Sequence, residues 1–110
     1  MRHFLCLLTL FAVLLSSCQD TKTLDKDPIK IACVGNSITY GSGMANREMN
    51  AYPKQLQHLL GDAYQVKNFG VSGNTLLQKG DYPYWESEAY QKALAFTPDI
   101  VFIKLGTNDS

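Results

Sequence analysis

The sequence predicts an α/β fold built on a parallel sheet, and three observations predict it. Short strand-like runs alternate with stretches of helical period: Lys30–Val34, Tyr52–Leu60, Tyr64–Phe69, Trp85–Phe96 and Ile100–Ile103. A strand–helix–strand–helix–strand order implies crossover connections, right-handed by rule, and hence parallel strands. Each strand is followed by a polar loop containing glycine, at Gly35–Gly41, Gly70–Thr75 and Gly106–Asp109. A parallel sheet gathers three such loops on the edge where ligands of α/β proteins bind. With 110 residues the chain has room for one small domain at most.

The N-terminus differs in kind from the rest. Arg2 precedes an apolar run from Phe4 to Leu15, which is short for a membrane span and is followed by Ser16-Ser17-Cys18. Leu15-Ser16-Ser17-Cys18 resembles a bacterial lipobox. The resemblance implies that residues 1–17 are a removed leader, that Cys18 is diacylated, and that the protein is an exported, membrane-anchored lipoprotein. An ordinary signal peptide with an incidental cysteine is the alternative. Residues 18–28 are polar and charged with one large apolar side chain, too little to order themselves, and read as a tether ending at Pro28. The domain proper is then 29–110.

The first strand, Lys30-Ile31-Ala32-Cys33-Val34, is apolar and rich in β-branched residues, and it stops at Gly35. Ser37, two residues beyond, stands where a nucleophile would be placed; the plainer reading is a turn residue. Cys33 is the one thiol left after the leader and Cys18, so no disulfide framework is implied. A strand cysteine is an inert small hydrophobe more often than a nucleophile. Met44–Asn50 reads as irregular or weakly helical. A helix follows, with Pro53 in its first turn, Tyr52, Leu56, Leu59 and Leu60 as its apolar stripe, and Gly61 as its stop. His58, near that helix's C-terminus, reads as a surface residue compatible with the helix dipole. It belongs at the sheet edge opposite Ser37.

Tyr64–Phe69 alternates apolar and polar residues, as a half-exposed edge strand does. In the following loop, Gly73 can bring its N–H to a ligand with no Cβ in the way. Lys79–Tyr84 is another loop. A second helix runs from Trp85 to about Phe96, with Trp85, Ala89, Ala93 and Phe96 on one face; Tyr84 and Trp85 read as core rather than as a sugar-binding cleft. Thr97-Pro98-Asp99 ends it. Ile100-Val101-Phe102-Ile103 is continuously apolar, the mark of a strand buried on both faces. Asn108 follows and could, alone, be a helix cap.

Three loop motifs together carry more than each does singly. Gly35-Asn36-Ser37-Ile38-Thr39-Tyr40-Gly41, Asn68-Phe69-Gly70-Val71-Ser72-Gly73-Asn74-Thr75 and Gly106-Thr107-Asn108-Asp109 resemble, in order, the first three sequence blocks of the SGNH (GDSL-type) hydrolases. Asn36 stands where that family more often has Asp, a change expected to be tolerated because the position is not the nucleophile. The resemblance implies a flavodoxin-like three-layer α/β/α fold, of which about the first three strands are present, with the first strand between the second and third. It implies a serine esterase in which Ser37 attacks the ester carbonyl. The Ser37 and Gly73 N–H groups and the Asn108 side chain would bind the oxyanion.

The fourth family block, Asp-x-x-His, does not occur up to Ser110, so the 110-residue chain by itself is expected to be inactive and marginally stable. The ending Gly-Thr-Asn-Asp-Ser and the variant first block look most like the branch that removes O-acetyl groups from carbohydrates. A lysophospholipase or thioesterase of the same family, or a non-catalytic carbohydrate-binding lipoprotein, are the alternatives.

Other chemistries find no support. The formal charge is zero and, without residues 1–17, nine basic face ten acidic side chains, so nucleic acid is not an expected partner. No metal-ligand cluster or dinucleotide fingerprint occurs, so neither a metal nor another cofactor is expected. Gly35 and Gly41 are six apart with no Lys following, unlike a P-loop. Gly35-x-Ser37 lacks the second Gly of the α/β-hydrolase elbow.

Overall fold

A computed structural model describes residues 26–110. The expected leader, Cys18 and the tether up to residue 25 lie outside the described residues. Strand β1 (Ile29–Gly35) is the centre of a three-stranded sheet of order β2–β1–β3, pairing in parallel with β2 (Tyr64–Gly70) and with β3 (Ile100–Lys104). The register runs from Ile29↔Tyr64 to Gly35↔Gly70 on one side, and from Ile31↔Ile100 to Gly35↔Lys104 on the other. Central placement explains the composition of β1: residues 31–35 are all buried, so both faces must be apolar or small.

Between β1 and β2 lie three helices, α1 (Ser37–Tyr40), α2 (Arg47–Asn50) and α3 (Tyr52–Leu60). Helix α4 (Glu88–Phe96) joins β2 to β3. Alternation along β1 sends Ala32 and Val34 to one face, where they pack with Phe69, Tyr84 and Ala93 in the main core. Cys33 points to the other face, toward Tyr52 of α3. Helices therefore cover both faces, the α/β/α layering expected.

The glycine pair Gly35↔Gly70 ends β1 and β2 together. A Cβ on Gly35 would overlap the Thr39 side chain, and one on Gly70 would overlap the Thr39–Tyr40 backbone. Helix α1 thus rests on bare backbone, which holds its first residue, Ser37, against the strand ends. At the opposite edge the Gln57 side chain donates to Gly61 O (3.1 Å) and Tyr64 O (2.9 Å) and accepts from Val66 N–H. It ties the end of α3 to the start of β2.

Several sequence expectations need correction. Leu59 is 80% exposed and not part of the apolar stripe; Tyr52, Leu56 and Leu60 are half-buried. The helix expected to start at Trp85 is two pieces, a 3₁₀ turn at Tyr84–Glu86 and α4. Ser87 divides them because its hydroxyl accepts from Tyr90 N–H (3.2 Å) as an N-cap, which requires extended backbone at Ser87. The segment after Gly35 is a helical turn where a loop was expected. Strand β3, expected to be buried on both faces, is exposed along its whole length among the described residues.

Candidate active site

Three connections at the carboxyl edge of the sheet bring the motif loops together. Asn36 donates its backbone N–H to Lys104 O at the end of β3 (3.3 Å), and Val71 N–H donates to Gly35 O at the end of β1 (2.9 Å). The third is a side chain: Asn108 Nδ2 donates to Asn74 O at 3.0 Å, one residue from Gly73. The Ser42 and Ser72 hydroxyls also share a hydrogen bond between the first two loops.

Ser37 is the first residue of α1 and half-buried. Asn36 makes that helix possible: its Oδ1 accepts from Ile38 N–H (3.2 Å), satisfying one of the free donors at the helix start. Asn36 is fully buried and its Nδ2 has no partner among the described residues. A carboxylate oxygen would accept the same bond, which accounts physically for Asn standing where Asp is usual. The C-cap Gly41 closes the turn at φ 90°, donating to Ser37 O.

Gly73 sits at φ 82°, and no atom lies within 4 Å of where its Cβ would be. Neither the Ser37 nor the Gly73 N–H makes a backbone hydrogen bond among the described residues. Two donors thus remain free on adjoining loops. Asn108 commits one of its two amide hydrogens to Asn74 O and keeps the other. Its neighbour Asp109 accepts from two consecutive backbone donors, Leu76 N–H on Oδ1 (2.8 Å) and Leu77 N–H on Oδ2 (3.1 Å).

The rival nucleophile is disposed of by its surroundings. Cys33 is wholly buried, and burial pushes its thiol above the ordinary value, against a smaller opposing effect of a hydrogen bond with Tyr52. A protonated, inaccessible thiol attacks nothing at neutral pH. His58 is exposed on α3, next to Gln57, whose bonds fix that turn at the start of β2. It is at the opposite edge from Ser37, as its place in the chain implies. No histidine among the described residues is placed to take the Ser37 proton.

Tyr84 and Trp85 serve the core. Tyr84 is fully buried and its hydroxyl donates to Phe69 O (2.6 Å); burial lifts its pKa to about 12. Trp85 stacks edge-on against Tyr84 and Tyr90 and donates its Nε1–H to Leu76 O (2.8 Å). The sequence reading missed the cap at Asn36 and the two bonds of Asp109. An Asn directly before a Ser-led helical turn was the available signal for the first; nothing local signals the second, which joins residues more than thirty apart.

Comparison with known proteins agrees with this geometry. Residues 33–110 match the model of the GDSL-like lipase/acylhydrolase family. An acetylxylan esterase of Xylanibacter ruminicola is 60% identical over 85 residues, covering 77% of this chain and 18% of that protein. The chain thus spans about a fifth of the length of that curated relative. A solved structure of a mutant of the esterase AlinE4 superposes with a TM-score of 0.52 at 24% identity, over 76% of this chain and 43% of that one, a likeness of fold. With the family model matching most of its length, from within β1 through the third motif loop, the chain belongs to the GDSL-like lipase/acylhydrolase family.

Proposed function

We propose that the protein is a serine esterase that removes O-acetyl groups from carbohydrate, acetylated xylan being the substrate class suggested by the relative named for it. The observation that carries the proposal is the joining of three loops at one sheet edge, with the Ser37 and Gly73 N–H groups unengaged and the Asn108 amide bonded to Asn74 O beside Gly73. Acyl transfer needs a nucleophile together with donors aimed at the charge that develops.

In this reading Ser37 Oγ attacks the acetyl carbonyl carbon and gives its proton to a base supplied from outside the described residues. The Ser37 and Gly73 N–H groups and Asn108 Nδ2 donate to the oxyanion. Collapse breaks the bond to the sugar oxygen, which leaves as the protonated alcohol, and water then releases acetate from Ser37. Positive φ and open space at Gly73 support its part, because a ligand can approach the backbone there with no Cβ in the way. Ser37→Ala should abolish both aryl acetate hydrolysis and labelling by a serine-directed phosphonate. Full activity in Ser37→Ala would sink the reading. A series of acyl chain lengths separates an acetylesterase from a lysophospholipase or thioesterase: activity should fall steeply beyond two carbons.

The reading extends to location. Cys18 is proposed as the acylated N-terminus, with residues 19–28 as spacer to the membrane, since stable anchoring takes more than one acyl chain. Intact-mass measurement of the mature protein should show loss of residues 1–17 and addition of lipid; a free N-terminus elsewhere contradicts it.

A further inference from the structure

We infer that Asp109 is a positioning residue for the oxyanion donors, holding the Gly73 loop and Asn108 in register with each other through its two bonds to Leu76 and Leu77. The inference rests on the esterase reading above. Gly73 itself makes no backbone hydrogen bond, and the turn it occupies is closed only by a long bond from Asn74 N–H to Val71 O (3.4 Å) among the described residues. Its place is therefore inherited from its neighbours. On the N-terminal side Val71 is fixed to β1 through Gly35 O (2.9 Å). On the C-terminal side Thr75 pairs with the 82–84 segment, accepting from Tyr84 N–H (3.0 Å) and donating to Tyr82 O (2.8 Å).

Those bonds fix the loop to β1 and to its own return. Among the described residues, the hydrogen bonds that join it directly to the third loop come from the side chains of residues 108 and 109. Asn108 contributes one bond, to Asn74 O, and it is exposed. Asp109 contributes two, each carboxylate oxygen accepting from one of two consecutive N–H groups, at 2.8 and 3.1 Å. Charge assistance makes each stronger than a neutral bond, and two-point attachment fixes orientation as well as distance. Leu76 is gripped from both ends, since its carbonyl accepts from Trp85 Nε1. The third loop has little else to hold it: Asp109 N–H to Gly106 O (3.2 Å) is its own turn. Without the carboxylate, Asn108 and Gly73 would each keep a local fold but lose their mutual placement. An oxyanion needs donors held to within a fraction of an ångström.

The test uses the full-length protein and compares Asp109→Ala, Asp109→Asn, Asn108→Ala and the double variant Asn108→Ala/Asp109→Ala on an aryl acetate. Removing a donor such as Asn108 is expected to lower kcat about a hundredfold. Asp109→Ala should lower kcat by roughly ten- to a hundredfold with KM within about twofold, and with the pH profile unmoved. The double variant should lose little beyond the worse single, since both act on one arrangement. Asp109→Asn keeps one acceptor and should fall between wild type and Asp109→Ala; it also carries the test if Asp109→Ala does not fold.

Hydrogen exchange at the Leu76 and Leu77 amides reads the clamp without reference to catalysis, and should quicken in both Asp109 variants. Wild-type kcat in Asp109→Ala, additive losses in the double variant, or a displaced acid limb of the pH profile would each overturn the inference. If instead Ser37→Ala stays active while the two amides still deprotect, the esterase reading fails and the clamp stands as structure alone.

Discussion

Tyr84 shows how one hydroxyl can fix a loop that carries no motif. Its ring is in the main core, and its O–H donates to Phe69 O, immediately before the second motif loop. Burial holds its pKa near 12 where an exposed tyrosine has 10. Below pH 10 the hydroxyl is protonated in both folded and unfolded chains and its contribution to stability is complete. Between pH 10 and 12 the unfolded chain ionises while the folded one does not, so stability is lost as pH rises. Urea midpoints should therefore be flat to about pH 9 and drop above 10, and Tyr84→Phe should flatten that drop. At neutral pH Tyr84→Phe should cost about 1–2 kcal/mol, because Phe69 O loses its buried donor. The sequence told that Tyr84 belongs to the core, since it is a large aromatic beside an amphipathic stretch. It could not tell where the hydroxyl points, because the acceptor lies on another strand. Ser37, Gly73 and Asn108 could be singled out for the opposite reason: each stands in a short contiguous block.

Among the elements, α1 depends most on what is missing. The Gly35↔Gly70 pair leaves a bare patch of backbone, and Thr39 fills it. Gly35→Ala should cost about 1–3 kcal/mol, since the added methyl overlaps Thr39 and comes within 2.8 Å of Lys104 O. Displacing α1 moves Ser37, so turnover should fall along with the chemical denaturation midpoint. A variant with unchanged stability would show that α1 yields freely. The order of elements and the strand periods were readable from apolar spacing. Two boundaries were not. The break at Ser87 turns on a cap bond competing with helix continuation, and polar residues inside an amphipathic run do not announce which side wins. Leu59 fits the helical stripe by spacing, yet a nine-residue helix angled over a sheet buries only part of that stripe.

At the scale of the whole molecule, the described sheet ends in a strand without cover. Ile100, Val101, Phe102 and Ile103 are 41, 47, 47 and 60% exposed. Their apolar run told truly what these side chains prefer to touch, and misled only about whether the described residues supply it. An open apolar edge strand invites pairing with another chain. The 110-residue chain by itself is therefore expected to self-associate with rising concentration in light scattering. A monodisperse monomer at high concentration would contradict that expectation.

The direction of β1 sets the pole of the sheet at which the chain enters the domain. Residue 29 begins the strand at one pole of the sheet and Gly35 ends it at the other, beside Ser37. Seven residues of parallel strand span roughly 20 Å. The described chain thus enters the sheet at the pole opposite the one where the three motif loops gather. A surface or partner coupled through the chain ahead of β1 is joined to the sheet at the pole remote from Ser37.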